Sequence, residues 1–567
     1  MAMREFSSEG AARAKIAFVG SLPEAEDLER FKERNFLCES CTPEELRRPG
    51  YAAQLDAVIW TQDPVKLNTL PRELGTTVPN LLDHDVRVYV RLATDQKLSE
   101  TPRKLVVNAL LESGIPVANL LPEEYKTIPE NRSERMNSFM MPCVYIFDSA
   151  VEWRSIAPLV CDRPAGPSPK FDLKVDEQFL LDEFGSDGHP ERVMLLKRAF
   201  WNCSGLQLRF LDGGMSGASV FKAYAWPDPT LMRWDVNVHY PHLYFVKIGP
   251  RKKVLDEYDK YCGYIREYVP FHLAPHLRQD RCNFGSTRGI LVGDCVEGAE
   301  SLITCARGGR SGHAISNLFD KTLGGWRKQK RLGTNGSLSK YLERKWYTEG
   351  SDALITLSPA RAEIVRELGG VPDIAPLKMI FENYGNSAAL VAPAHGDMHA
   401  TNVLVRHGDA ILIDFEKLER EYPLTYDPAS LEGGLLVEGF TKDLKKARFK
   451  PKDLVKLIEP LYEQTALKGS GTTLCRPGDP TEWYYDAVNQ IRTLSWAVEN
   501  ETGQYALTLA LCLIRKGCNP HDGLETEAPN TLRAIAFFFG QKILRGIAAE
   551  ISMASGKKKL PYKAPKR

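Results

Sequence analysis

The chain has 567 residues, too many for one hydrophobic core, so two or three domains are expected. Its 43% hydrophobic and 26% charged residues are ordinary for a folded protein and exclude large-scale disorder. A formal net charge of +1 argues against a protein that coats nucleic acid by bulk electrostatics, and no apolar run approaches the roughly 18–20 residues that cross a bilayer.

The opening residues, MAMREFSSEGAARAKIAFVG, show no secretory apolar core ending in a small-residue cleavage site. Twelve scattered cysteines, mostly in apolar stretches, suit reduced thiols and a cytoplasmic location. Cys38-Glu-Ser-Cys41 is the one CxxC; without a second pair it does not make a zinc site.

From about residue 13, short apolar runs alternate with helical periodicity. KIAFVG (15–20), LDAVIW (55–60) and VRVYVRL (86–92) predict strands, and PEAEDLERFKER and TPRKLVVNALLESG predict helices. The alternation predicts a small parallel α/β module over 13–160, flavodoxin- or receiver-like in layout. Its first strand ends in a single Gly20, so a dinucleotide fingerprint is absent. No acidic pair follows that strand either, so Asp63 reads as a surface acid rather than a phosphoacceptor. The module is expected to bind or dock, with a protein partner as its candidate ligand, and to carry no chemistry.

CDRPAGPSPKFD (161–172) opens a linker over 161–189. Residues 190–300 are strand-rich with one clear helix, and 301–552 are mostly helical, which predicts an α+β two-lobed domain. The basic stretch at 553–567 is expected to be a flexible tail.

The chemistry concentrates in PAHGDMHATNVLV (393–405) and AILIDFE (410–416). Phosphoryl transfer from Mg·ATP needs a carboxylate beside the acceptor hydroxyl, metal ligands beside the phosphates, a lysine on the α/β-phosphates and backbone N–H groups over them. Asp397 and Asn402 stand five apart, as in the H-x-D-x-x-x-x-N catalytic loop, and Asp414 closes the strand DAILID as a second acid. HGDMHATN alone also reads as a turn, since Gly, Asp and Asn are turn formers; the joint spacing with Asp414 favours a site.

The upstream half is present too. LQLRFLDGGMSGASVFKAYAW (206–226) predicts a strand, a Gly-rich turn and a strand, with Gly213, Gly214, Ser216 and Gly217 as candidate phosphate-covering residues. Gly214 and Gly217 match the later half of GxGxxG, while Asp212 takes the first glycine position and no GK[ST] follows. LYFVKIG (243–249) is an apolar strand with one charge, Lys247. Glu257, ten residues on, is its candidate ion-pair partner, ahead of Asp256. RGILVGDCVEGAESL (288–302) is expected to supply the strand and connector that meet adenine.

H-G-D-x-H-x-x-N and I-D-F-E, ordered after GGMSG, Lys247 and Glu257, resemble the aminoglycoside phosphotransferase and choline kinase-like branch of the protein-kinase-like fold over residues 190–550. The resemblance implies ATP as donor, Mg²⁺ as cofactor, Asp397 as catalytic base, and Asn402 and Asp414 as metal ligands. It groups His395 with Asp397 as a support of the loop backbone, makes His399 a packing or capping residue, and offers Glu416 as a further metal-side acid.

The acceptor stays open. Glu432 and Glu438 mix with Lys442, Lys445 and Lys446, which disfavours a polycationic acceptor. Trp483-Tyr484-Tyr485, with Trp496, reads either as core or as a pocket for a quaternary amine or a sugar. EREYPLTYDPASLE (419–432) stands where an activation loop would, with Asp427 as a helix N-cap. The expected function is ATP·Mg-dependent transfer to a hydroxyl of a small molecule or protein. The alternative is a catalytically weak nucleotide-binding regulator in a signalling or defence-type assembly.

Overall fold

The computed structural model describes residues 14–33, 36–52, 55–61, 70–83, 86–92, 106, 108, 110, 117–119, 144–149, 151–161, 170, 172–176, 179–181, 189–211, 219–229, 240–284, 288–446, 449–469, 471–519 and 527–554. The chain divides into two compact units, Met1–Asp259 with His276–Cys295, and Lys260–Pro275 with Val296–Arg567.

The first unit holds two six-stranded sheets. In one, β1 (Ala14–Val19), β2 (Phe36–Cys41), β3 (Ala57–Thr61), β4 (Arg87–Leu92), β5 (Val117–Asn119) and β6 (Val144–Asp148) run parallel in the order β2-β1-β3-β4-β6-β5. Successive side chains of a strand point to opposite faces, and here both faces are covered. Ala17, Val58, Trp60, Val88 and Ile146 pack on one side with Leu74, Val78 and Leu81 of the helix Leu70–Asp83. Ile16, Phe18, Ile59, Tyr89 and Phe147 pack on the other with Trp153 and Ile156 of the helix Trp153–Cys161. That two-sided burial is why the strands read as nearly continuous apolar runs.

β2, like β5 and β6, is a strand that the sequence pattern does not reveal. FLCESC is an edge strand with a polar middle, and it contains the CxxC. Burial pushes the Cys38 thiol up to about 11 and the Cys41 thiol up to about 12, so neither is a ready thiolate. Asp63, most of the helix expected over 101–114, most of the 161–189 linker and the tail from 555 lie outside the described residues. Val106, Asn108 and Leu110 of that helix are helical, with Val106 and Leu110 buried against the parallel sheet.

The second sheet comprises β7 (Lys174–Val175), β8 (Cys203–Phe210), β9 (Ser219–Pro227), β10 (His242–Pro250), β11 (Asn283–Phe284) and β12 (Arg288–Asp294), in the order β11-β12-β10-β9-β8-β7. One face, with Leu206, Phe221, Val246 and Val292, packs against Leu195, Leu196 and Ala199 of the helix His189–Ala199. Arg198 of that helix reaches the parallel sheet: its guanidinium is 3.6 Å from Asp56 and donates to the Leu55 carbonyl at 3.3 Å. Both side chains of the pair are almost wholly buried.

The second unit is helical, with two three-stranded sheets. β13 (Glu300–Ser301), β16 (Val403–Arg406) and β17 (Asp409–Leu412) form one; β14 (Arg331–Ser337), β15 (Ala388–Ala394) and β18 (Glu419–Pro423) form the other. The helices Tyr426–Gly439 and Gln504–Cys518 are buried on nearly every side, as helices apolar all round must be. Among the described residues no helix is long and apolar enough to cross a membrane.

Three segments left open by the sequence take definite places in this half. The segment 419–432 is regular structure, a strand paired with β15 followed by a helix. Glu432 lines no pocket: it is fully buried and held by Arg492 at 2.6 and 3.0 Å and by the Tyr505 hydroxyl at 2.7 Å. Trp483, Tyr484 and Tyr485 are core, with Tyr484 and Trp483 packed on Phe440.

Candidate active site

β15 ends at Ala394, and the loop His395–Asn402 leads into the β16–β17 hairpin. The hairpin turns at His407 and Gly408, with φ of 55° and 86°, the left-handed pair of a two-residue type I′ turn. Asp409 begins β17 opposite Arg406. Val403 pairs with Leu412, and the Ile413 N–H donates to the Asn402 carbonyl at 3.0 Å. That register brings Asn402 and Asp414 to the same end of the hairpin.

The loop backbone is tied down from several directions. Asp427, buried in the first turn of its helix, accepts the His395 N–H at 2.7 Å and the Gly396 N–H at 3.0 Å, one on each oxygen. Burial pushes its carboxyl up, while His395 and the two N–H groups pull it back down. Asp427 is therefore not the N-cap the sequence indicated; Thr425 occupies that position, without a side-chain cap bond. Gly396 has φ of 76°, and a Cβ there would lie 2.0 Å from the Lys417 carbonyl oxygen, so no other residue fits. The His395 ring is fully buried, with Nε2 3.0 Å from the Ile413 carbonyl. His395 thus positions the loop and faces no solvent.

Asn402 donates its Nδ2 to the Asp397 carbonyl at 3.1 Å, which leaves its Oδ1 as the atom for a cation. Asp414 has φ of 63°, a left-handed conformation that costs a non-glycine residue about 1–3 kcal/mol and that collects at functional sites. His399 is fixed by the Thr401 hydroxyl at 2.7 Å from Nδ1 and by Glu438 at 3.2 Å. Gly434 lets the Tyr426–Gly439 helix approach, since a Cβ there would be 2.9 Å from that of His399. Glu438 thus serves the loop. The Glu416 carbonyl accepts the Lys260 ammonium at 2.6 Å.

The Asp397 side chain is the exception. It is half-buried, and among the described residues no hydrogen bond or ion pair holds its carboxylate.

In the first unit, Lys247 lies on β10 between Val220 of β9 and Leu291 of β12. Its Nζ is 2.7 Å from Glu257 of the helix Arg251–Lys260, with both side chains more than nine-tenths buried. Asp256, one step away, is exposed. Burying two charges returns little net stability, which marks this pair as one kept for its charge. Gly213, Gly214, Ser216 and Gly217 lie outside the described residues, in the segment between β8 and β9.

Among the described residues no three His, Cys, Asp or Glu side chains gather into a metal cage. Asn402 and Asp414 suit a Mg²⁺ ion that keeps waters and takes its remaining ligands from phosphates.

The family described as Ternary complex associated domain 9 matches residues 371–518, which include the loop, the hairpin and Asp427. The chain is similar to a thermostable mutant of aminoglycoside phosphotransferase APH(4)-Ia in ternary complex with AMP-PNP and hygromycin B. That match has 13% identity and a TM-score of 0.32, and covers 66% of this chain and 99% of that one. Amicoumacin kinase hAmiN in complex with AMP-PNP, Ca²⁺ and Ami matches at 11% identity and a TM-score of 0.29, covering 65% and 94%. A glucosamine kinase in complex with glucosamine, ADP and inorganic phosphate matches at 10% identity and a TM-score of 0.29, covering 62% and 97%. No curated protein matches the chain.

Proposed function

We propose that the chain is an ATP- and Mg²⁺-dependent phosphotransferase that acts on a hydroxyl, with Asp397 as the base. The observation that carries the reading is a carboxylate that no hydrogen bond or ion pair holds among the described residues, on a backbone clamped by Asp427 and Asn402. In the proposed step the acceptor hydroxyl gives its proton to Asp397 while its oxygen bonds to the γ-phosphorus. The bond from that phosphorus to the β,γ-bridging oxygen breaks, and ADP leaves with the electron pair. Lys247, oriented by Glu257, offsets charge on the α/β-phosphates, with Gly213, Gly214, Ser216 and Gly217 as the candidate phosphate-covering residues. Asn402 and Asp414 would hold a Mg²⁺ ion, which would supply neutralisation of the phosphate charge.

Labelled ATP offered with a panel of small hydroxyl compounds and co-expressed proteins should give a labelled acceptor only when Mg²⁺ is present. Asp414→Ala should abolish the Mg²⁺ dependence of nucleotide affinity and leave metal-free binding in place. Nucleotide binding without any labelled product would reassign the chain as a nucleotide-binding regulator. Normal Mg²⁺ dependence in the variant would remove Asp414 from the metal site.

A further inference from the structure

Lys345, in the helical unit, makes no ion pair among the described residues. It lies in the single turn Glu343–Trp346, anchored by the fully buried Trp346. Its ammonium stands over the rings of Tyr422 and Tyr426, 5.3 and 5.0 Å from their centroids, and those rings meet edge to face at 4.7 Å. Arg515, from the helix Gln504–Cys518, donates to the Lys345 carbonyl and so brings a second cation to the same place.

An aromatic face attracts an ammonium but cannot satisfy its three N–H donors. Among the described residues no hydrogen bond or ion pair takes any of them. Burial and the neighbouring Arg515 disfavour the charged form, and the Asp397 and Glu419 carboxylates favour it; burial prevails, and the pKa of Lys345 is lowered. Tyr426 also feels the Asp397 charge and immediately precedes Asp427, so the two cations stand beside the loop that carries the base.

We infer that Lys345 and Arg515 receive an anionic group, a carboxylate or a phosphate, on the acceptor whose hydroxyl faces Asp397. The inference rests on the reading of Asp397 as the base. The acceptor class is then a hydroxy acid or a phosphorylated alcohol or sugar. A polycation would meet the positive charges of Lys345 and Arg515.

Acetylation of the full chain with acetic anhydride, read residue by residue by mass spectrometry, tests this without turnover. The uncharged amine is the reactive form, and the labelling rate of Lys345 is the quantity followed. A bound anion should restore its charge and slow the labelling. Glycerate or glycerol 3-phosphate should slow it saturably, and whichever acts at the lower concentration identifies carboxylate or phosphate. Glycerol, and sodium chloride at matched ionic strength, should do nothing. Arg515→Gln, with an unchanged melting temperature, should raise the required concentration about tenfold, the loss expected for one charge-assisted hydrogen bond. Absence of saturable slowing by both anions, or equal slowing by sodium chloride, overturns the inference and leaves the role of Asp397 untouched. Anion protection together with an empty acceptor screen would instead remove the phosphotransfer reading and keep an anion site.

Discussion

Asp56 and Asp397 are both acids at the edge of a strand, and their surroundings differ in every respect. Asp56 precedes β3, accepts the Lys15 backbone N–H at 2.9 Å, stands 3.6 Å from the Arg198 guanidinium, and is shut away from water. Asp397 has its backbone held by Asn402 and its loop held by Asp427, yet its own oxygens are left open. A carboxylate whose partners are built into the fold serves the fold. An open one on an over-determined backbone costs stability, and persists where a ligand will use it. Variants that separate stability from transfer test this difference.

The largest stability effects belong to the closed charges. Asp56→Ala leaves Arg198 buried without its partner and should cost about 3–5 kcal/mol in a urea titration. Lys247→Met strands Glu257 in the same way and should cost a similar amount. Nucleotide affinity falls with it, since the charge on the phosphates goes too. Adding Glu257→Leu should recover most of the stability and none of the affinity, and recovery of both would remove Lys247 from the nucleotide site.

Asp427 lies between the two cases. Asp427→Ala leaves two buried N–H groups without acceptors, for about 2–4 kcal/mol, and should lower transfer by loosening the loop. The urea midpoint and the single-turnover rate should fall together; unchanged transfer would mean that the clamp is only structural. The smallest effect is expected at Asp409, which starts β17 beside the turn. Asp409→Ala should stay within about 0.5 kcal/mol of wild type and keep full Mg²⁺ dependence.

What was legible in the sequence follows the same division. The spacing of His395, Asp397, Asn402 and Asp414 is local, set by one loop and one hairpin, and the chain displays it. Lys247 and Glu257 are likewise a strand and the helix that follows it. Asp427 was misread because Tyr-Asp-Pro looks like a helix start; its carboxylate turns instead to N–H groups 31 and 32 residues upstream. Glu432 pairs with Arg492 across 60 residues, and only packing brings Lys345 to Tyr422 and Tyr426. β2 was missed because an edge strand need not alternate.

Asp397→Asn is the most direct test, because it keeps shape and removes only the charge of the base. Single-turnover transfer from labelled ATP should fall about 10²–10⁴-fold, with nucleotide affinity unchanged. The melting temperature should hold or rise, because among the described residues no hydrogen bond or ion pair holds the carboxylate. Undiminished transfer, or a melting temperature that falls as it does for Asp56→Ala, would contradict the account.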